Sequence, residues 1–209
     1  MTNHAKTTAC AIGLALALQL HVAWSQADAY QPNIPPQLVT QLEQTKQFLV
    51  AGRPEEAIPG LERLVKANPD YFSAAYNLGL AYSDLRQYDN ALAMLTRARE
   101  IRERLSIADA TVYNALGYTY VLSGQPRKAE ESYLQGLKNV SLLTSDSKRR
   151  LYNNIGNLYL NVGRYEDAQK YLGTAAQEYK STVARENLKV LGTVREISVQ
   201  QDMRANIKK

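Results

Sequence analysis

Three stretches of this 209-residue chain carry matching residues at matching offsets. They are Ala75-x-x-Leu78-Gly79-x-x-Tyr82, Tyr113-x-x-Leu116-Gly117-x-x-Tyr120 and Tyr152-x-x-Ile155-Gly156-x-x-Tyr159. Nine residues after each Tyr comes an alanine, and four further on a large apolar residue: Ala91/Leu95, Ala129/Tyr133 and Ala168/Leu172. A weaker copy precedes them, with Phe48 in the Tyr position, Ala57, Leu61 and a closing Pro69, but with Gln44-Thr45 in place of Leu-Gly. The alanines at 57, 91, 129 and 168 give periods of 34, 38 and 39. Offsets of three and four are helical, so each copy predicts two helices joined by a turn. A glycine inside a helix costs about 1 kcal/mol against alanine. Its use here is close approach: without a side chain at 79, 117 or 156, the partner helix packs where its own residue is also small. Replacing Gly117 with leucine is therefore expected to damage the fold.

These residues resemble the tetratricopeptide repeat family, whose pattern is W-x₂-L-G-x₂-Y, then A-x₃-F, then P over 34 residues. The resemblance covers roughly residues 38–179. It implies an all-α solenoid of antiparallel helix pairs with a C-terminal capping helix. The boundaries read from the sequence are a degenerate first repeat over 38–71, then 72–109, 110–148 and 149–180, a capping helix over 181–201 and a flexible tail over 202–209. The excess length of the later periods is assigned to the polar breaks 106–109 and 141–146, each following a lengthened helix. Asp109 and Ser145 or Asp146 are expected N-caps. The last helix is amphipathic through Val183, Leu188, Leu191, Val194 and Ile197, suited to cover the open end of a stack.

Ahead of the repeats, Lys6 and the apolar run Ala9 to Leu18 read as a secretory signal over 1–27, with cleavage after Ser25 or Ala27, followed by a proline-rich linker over 28–37. Ten apolar residues fall short of the ~20 that span a bilayer; an uncleaved anchor extended through Trp24 is the alternative. Removing the segment removes Cys10, His4 and His21, hence all cysteine and histidine. The expected location is periplasmic or secreted, an oxidising compartment that suits a cysteine-free chain.

Tyr152 to Ala168 holds four asparagines in a helix, at a cost of roughly 0.6 kcal/mol each against alanine. At 100° per residue, Tyr152, Ile155, Gly156 and Tyr159 form one seam, and Asn153, Asn154, Asn157 and Asn161 fall on the opposite side. In the family, first helices line a concave groove. The resemblance therefore implies a peptide-binding groove made of Tyr76, Asn77, Leu80, Asn114, Tyr118, Arg150, Asn153, Asn157 and Asn161. An asparagine amide both donates and accepts, so it can hold the backbone of an extended peptide whatever its side chains. Tyr76 and Tyr118 would add aromatic anchors, and Arg150 a carboxylate contact. The alternatives are solvated asparagines, tyrosines packed between repeats and a plain charged turn at Arg149-Arg150. The carboxylate clamp of chaperone-binding members is not reproduced: Asn77 matches one position, but Leu42, Lys46, Thr111 and Ala115 hold the others.

Without cysteine or histidine after the signal, thiol catalysis, Ser-His-Asp chemistry and the usual zinc ligand sets are excluded. No cofactor is expected. Net charge is +5 before and +4 after signal removal, and Arg97, Arg99, Arg102 and Arg104 alternate with Glu100 and Glu103. That reads as a solvated ion-paired face, not a nucleic-acid stripe. The expected function is that of a non-enzymatic, exported scaffold binding a protein or peptide segment in envelope assembly, secretion or surface-polymer export. Membrane contact is expected only through an uncleaved signal. The alternative is a self-assembling structural module with an empty groove.

Overall fold

The computed structural model describes residues 33–107 and 110–207, with the side chains of 195 and 197–207 aside. The signal reading and Asp109 lie outside the described residues. Among those described there are nine α-helices, one 3₁₀ turn and no strand. They fall into two compact units, the first ending at Leu143 and the second beginning at Thr144. The first unit holds α1 (Pro36–Val50), α2 (Pro54–Ala67), α3 (Phe72–Asp84), α4 (Tyr88–Leu105), α5 (Thr111–Leu122) and α6 (Pro126–Lys138). The second holds α7 (Ser145–Asn161), α8 (Tyr165–Gln177) and α9 (Thr182–Ile207).

Four turns join first to second helices, and all four have one geometry. Gly52, Arg86, Gly124 and Gly163 occupy the left-handed region, with φ of 69°, 59°, 75° and 78°. The next residue's N–H reaches back to the carbonyl of the Tyr-position residue: Arg53 to Phe48, Gln87 to Tyr82, Gln125 to Tyr120 and Arg164 to Tyr159, at 2.8–2.9 Å. This satisfies the last free carbonyls of each first helix and reverses the chain. Glycine adopts that φ without strain; Arg86 does not.

The seam between paired helices is built as the spacing predicts. Leu78, Ala91 and Leu95, then Leu116, Ala129 and Tyr133, then Ile155, Ala168 and Leu172 are all buried. A Cβ added at Gly79 would sit 2.6 Å from Leu95 Cγ, and one at Gly156 2.5 Å from Leu172 Cγ. At Gly117 it would meet the Tyr133 ring, with Cζ at 2.8 Å and two ring carbons closer still. The degenerate first pair keeps this approach by reversing it. Thr45 stands where the others have glycine, and the space is supplied from α2 by Gly60, whose added Cβ would lie 2.8 Å from Thr45 Oγ1.

Three local features differ from the sequence reading. The break after α6 is a 3₁₀ turn, Val140–Leu142, and not an extension of the helix. The N-cap of α7 is Thr144, whose hydroxyl accepts from the Ser147 N–H at 3.1 Å. The last helix runs on to Ile207, through most of the segment expected to fray, because no glycine or proline stops it.

Candidate functional site

In the first unit, the residues expected to line a groove lie on α3 and α5. Tyr76 is half-buried and stacks on Phe72, ring centroids 5.8 Å apart. Asn77 is buried and donates from Nδ2 to its own helix, at Ser73 O, 2.7 Å. Leu80 and Tyr118 are also buried, and burial pushes the Tyr118 phenol up, with Asp84 and Tyr88 adding to the effect. Ser83 and Thr119 bridge α3 to α5 through their hydroxyls at 3.2 Å. Of the five groove positions Tyr76, Asn77, Leu80, Asn114 and Tyr118, only Tyr76 and Asn114 keep partial exposure. Asn77, Leu80 and Tyr118 are therefore corrected: side chains of the unit itself cover them.

In the second unit, α9 covers the asparagine face of α7. The Asn153 amide, 3 % exposed, donates to Ser181 Oγ at 2.9 Å and accepts from it at 3.1 Å. Ser181 Oγ also caps α9 by accepting from the Ala184 N–H. Asn157, 5 % exposed, accepts on Oδ1 from Asn187 Nδ2 at 2.5 Å. Arg150 is buried and ion-paired with Asp146 one turn earlier on its own helix. Only Asn161 is exposed. The ligand reading of Asn153, Asn157 and Arg150 is corrected on the same physical ground. Ser181 and Asn187 are each met by a buried asparagine of α7, while the Asn157 Nδ2 is buried without a hydrogen-bond partner among the described residues.

Two clefts of the first unit lie on the other side, between consecutive second helices; a third, of about 540 Å³, lies between the turns at Arg86–Asn90 and Leu122–Gln125. A cleft of about 540 Å³ runs between α2 and α4, with Leu78 on its floor, Val65 and Met94 as apolar walls and Lys66 and Arg97 among its polar lining. Tyr82 on α3 donates to Glu62 at 2.6 Å, a bond that, with some burial, pushes its phenol up to about 12. One repeat later, a cleft of about 390 Å³ runs between α4 and α6, over Leu116 and Tyr120. Arg99 stands there where the first cleft has Val65, and Ser132 where it has Met94. The pair is one architectural site in two chemistries, apolar and then charged. Sequence reasoning missed it because the motif marks only the floor, while the walls fall at unmarked positions of the second helices.

Among the described residues, no group of His, Cys, Asp or Glu is placed to hold a metal. No helix among them is long and apolar enough to cross a membrane.

Antiparallel helix pairs with glycine seams and left-handed turns define a helical-repeat protein. Profiles described as tetratricopeptide repeat match residues 70–140 and 150–180. The chain belongs to the tetratricopeptide repeat family, and its fold is an all-α solenoid of that kind. A curated relative, the BBSome complex member BBS4 of Bos taurus, is 30 % identical over 145 residues, covering 67 % of this chain and 25 % of the relative. The chain thus spans about a quarter of that protein's length. Among solved structures, MamA superposes with a TM-score of 0.58 at 25 % identity, over 88 % of this chain and 98 % of that one. PilW, a widely conserved type IV pilus biogenesis factor, gives 0.58 at 20 % identity over 72 % of this chain and 67 % of that one. Tetratricopeptide repeats generally mediate protein–protein interactions, and scaffolds of this family are generally non-enzymatic.

Proposed function

We propose that this protein is an exported interaction scaffold, and that its first unit holds a partner segment in the two clefts between consecutive second helices. The observation that carries the reading is the pairing of an apolar cleft at Val65, Leu78 and Met94 with a charged cleft one repeat on at Arg99. Such a surface selects a segment with an apolar anchor followed, about one repeat spacing later, by a hydrogen-bonding polar side chain, because Arg99 and Lys128 share the second cleft with Glu103 and Glu131. Apolar anchors in a formed pocket supply most of the energy of such contacts, and charged contacts at the rim supply selectivity. Export rests on the signal-like segment at 1–27, and work in envelope assembly, secretion or surface-polymer export follows from that location.

The test is photocrosslinking in the native cell from position 94, compared with position 76 on the first-helix face. The reading expects a discrete partner trapped from 94 and lost when Val65→Asp is added. The same partner trapped from 76 and not from 94 would return binding to the face that carries Tyr76 and Asn114.

A further inference from the structure

We propose that a row of tyrosines on the second unit is a docking ledge for a polyproline II segment, and that its occupant is residues 28–36 of a second copy of this chain. The row belongs to α7, α8 and the residue two past α8, and none of its members lines the two clefts used above.

Four rings follow one another in space in the order Tyr179, Tyr152, Tyr171, Tyr159, with centroids 5.4, 6.1 and 5.5 Å apart and planes tilted by 26–36°. Tyr159 is buried and the other three are half-buried, so one side of the row meets solvent. The repeat does not need all of these rings. Gly60, Met94 and Ser132 hold the position of Tyr171 in the earlier copies, three residues after the seam alanine. Asn68, Arg102 and Val140 hold that of Tyr179. A half-exposed tyrosine where a serine suffices for the fold presents an apolar face and a phenol donor to whatever lies against it. Burial pushes the Tyr152 phenol up, with Tyr179, Glu178 and Tyr171 adding to the effect, so its hydroxyl remains a donor at neutral pH.

The chemistry of the ledge names its occupant. A polyproline II segment has no internal hydrogen bonds, so its carbonyls accept from outside, and such segments dock on aromatic-lined grooves. This chain carries one: Asp28-Ala29-Tyr30-Gln31-Pro32-Asn33-Ile34-Pro35-Pro36 holds Pro-x-x-Pro at 32–35. Pro35 has φ −55° and ψ 133°, in the polyproline II region, and Asn33, Pro35 and Pro36 are exposed. Prolines three apart fall on one edge of that helix about 9 Å from each other, about the reach of two ring-to-ring steps. Charge agrees as well. Asp28 is the segment's only charged residue, and exposed Lys170 stands over the Tyr171 ring, 5.4 Å from its centroid. Copies joined this way associate head to tail, because segment and ledge are different surfaces.

The probe is a fluorescein-labelled peptide of residues 28–36, added to the full chain. Fluorescence anisotropy is expected to show saturable binding. Tyr171→Ser in the protein, or Pro32→Ala with Pro35→Ala in the peptide, is expected to weaken it about tenfold or more. Tyr171→Ser installs the residue that α6 already carries at this position, so helical signal and melting temperature are expected to hold. Light and heavy isotopic forms of the chain, each with a photoreactive phenylalanine analogue in place of Tyr171, are then mixed and irradiated. Mass spectrometry is expected to find light–heavy crosslinks from 171 to residues 28–36. Peptide binding that neither set of substitutions weakens, no binding at millimolar protein, crosslinks to another segment, or crosslinks confined to like-labelled chains would each overturn the proposal.

Discussion

Replacing the three motif glycines and Gly192 with alanine one at a time separates close packing from helix propensity. Propensity alone favours each substitution by about 1 kcal/mol. Packing opposes it wherever the second helix stands in the way. At Gly117 the new methyl would lie 2.8 Å from Tyr133 Cζ, and Tyr133 is 1 % exposed with a planar ring that cannot fold aside. Carbon contacts settle near 3.5–4.0 Å, and overpacking of a filled core costs roughly 1–3 kcal/mol. The upper end applies to a rigid ring, so Gly117→Ala is expected to lose about 2 kcal/mol net. Gly79→Ala and Gly156→Ala, facing the more adaptable Leu95 and Leu172, are expected to lose about 1 kcal/mol. Gly192→Ala, with nothing within 4 Å, is expected to gain about 1 kcal/mol. Urea unfolding followed by circular dichroism gives all four values. A Gly117→Ala variant as stable as wild type would refute the argument that glycine is there to admit the second helix.

Other outcomes follow from single contacts. Arg86→Gly is expected to stabilise the first unit by about 1 kcal/mol in thermal melts, by removing a non-glycine residue from φ 59°; a loss would mean that the Arg86 side chain matters more than its backbone. Thr144→Ala is expected to cost about 1 kcal/mol through the lost cap on Ser147 N–H, read by chemical denaturation. Tyr82 has a higher phenol pKa folded than unfolded, so its bond to Glu62 contributes fully below pH 10 and is lost as pH rises through about 12. Stability of wild type is therefore expected to fall over that window relative to Tyr82→Phe, and parallel pH profiles would rule the bond out.

The repeat itself was legible because the seam requires particular residues. Only a glycine admits Leu95, Tyr133 or Leu172, and only a left-handed residue makes the turn, so spacing alone locates four helix pairs. The first pair shows the limit of a motif: Thr45 breaks the pattern, and Gly60 restores the approach from the opposite helix, which no fixed offset records. The asparagines show a different limit. Helical geometry correctly puts Asn153 and Asn157 opposite the seam of α7, but it does not say whether that side meets water. The structure covers it with α9. The signal that could have revealed this was Leu191-Gly192, which marks α9 as one more first helix and hence a neighbour of α7. The clefts were not legible because their walls, Val65, Met94 and Arg99, carry no repeat-wide identity.

The most direct test of the account is a double-mutant cycle on Asn157 and Asn187, measured by urea unfolding. Each amide is buried against the other, and removing one leaves a polar group without its partner, at roughly 1–3 kcal/mol before about 0.6 kcal/mol of helix propensity is regained. The account predicts that Asn157→Ala and Asn187→Ala each lose about 1 kcal/mol and that the double variant loses no more than either. Two single variants as stable as wild type, or losses that simply add, would contradict it and reopen the asparagine face as a ligand site.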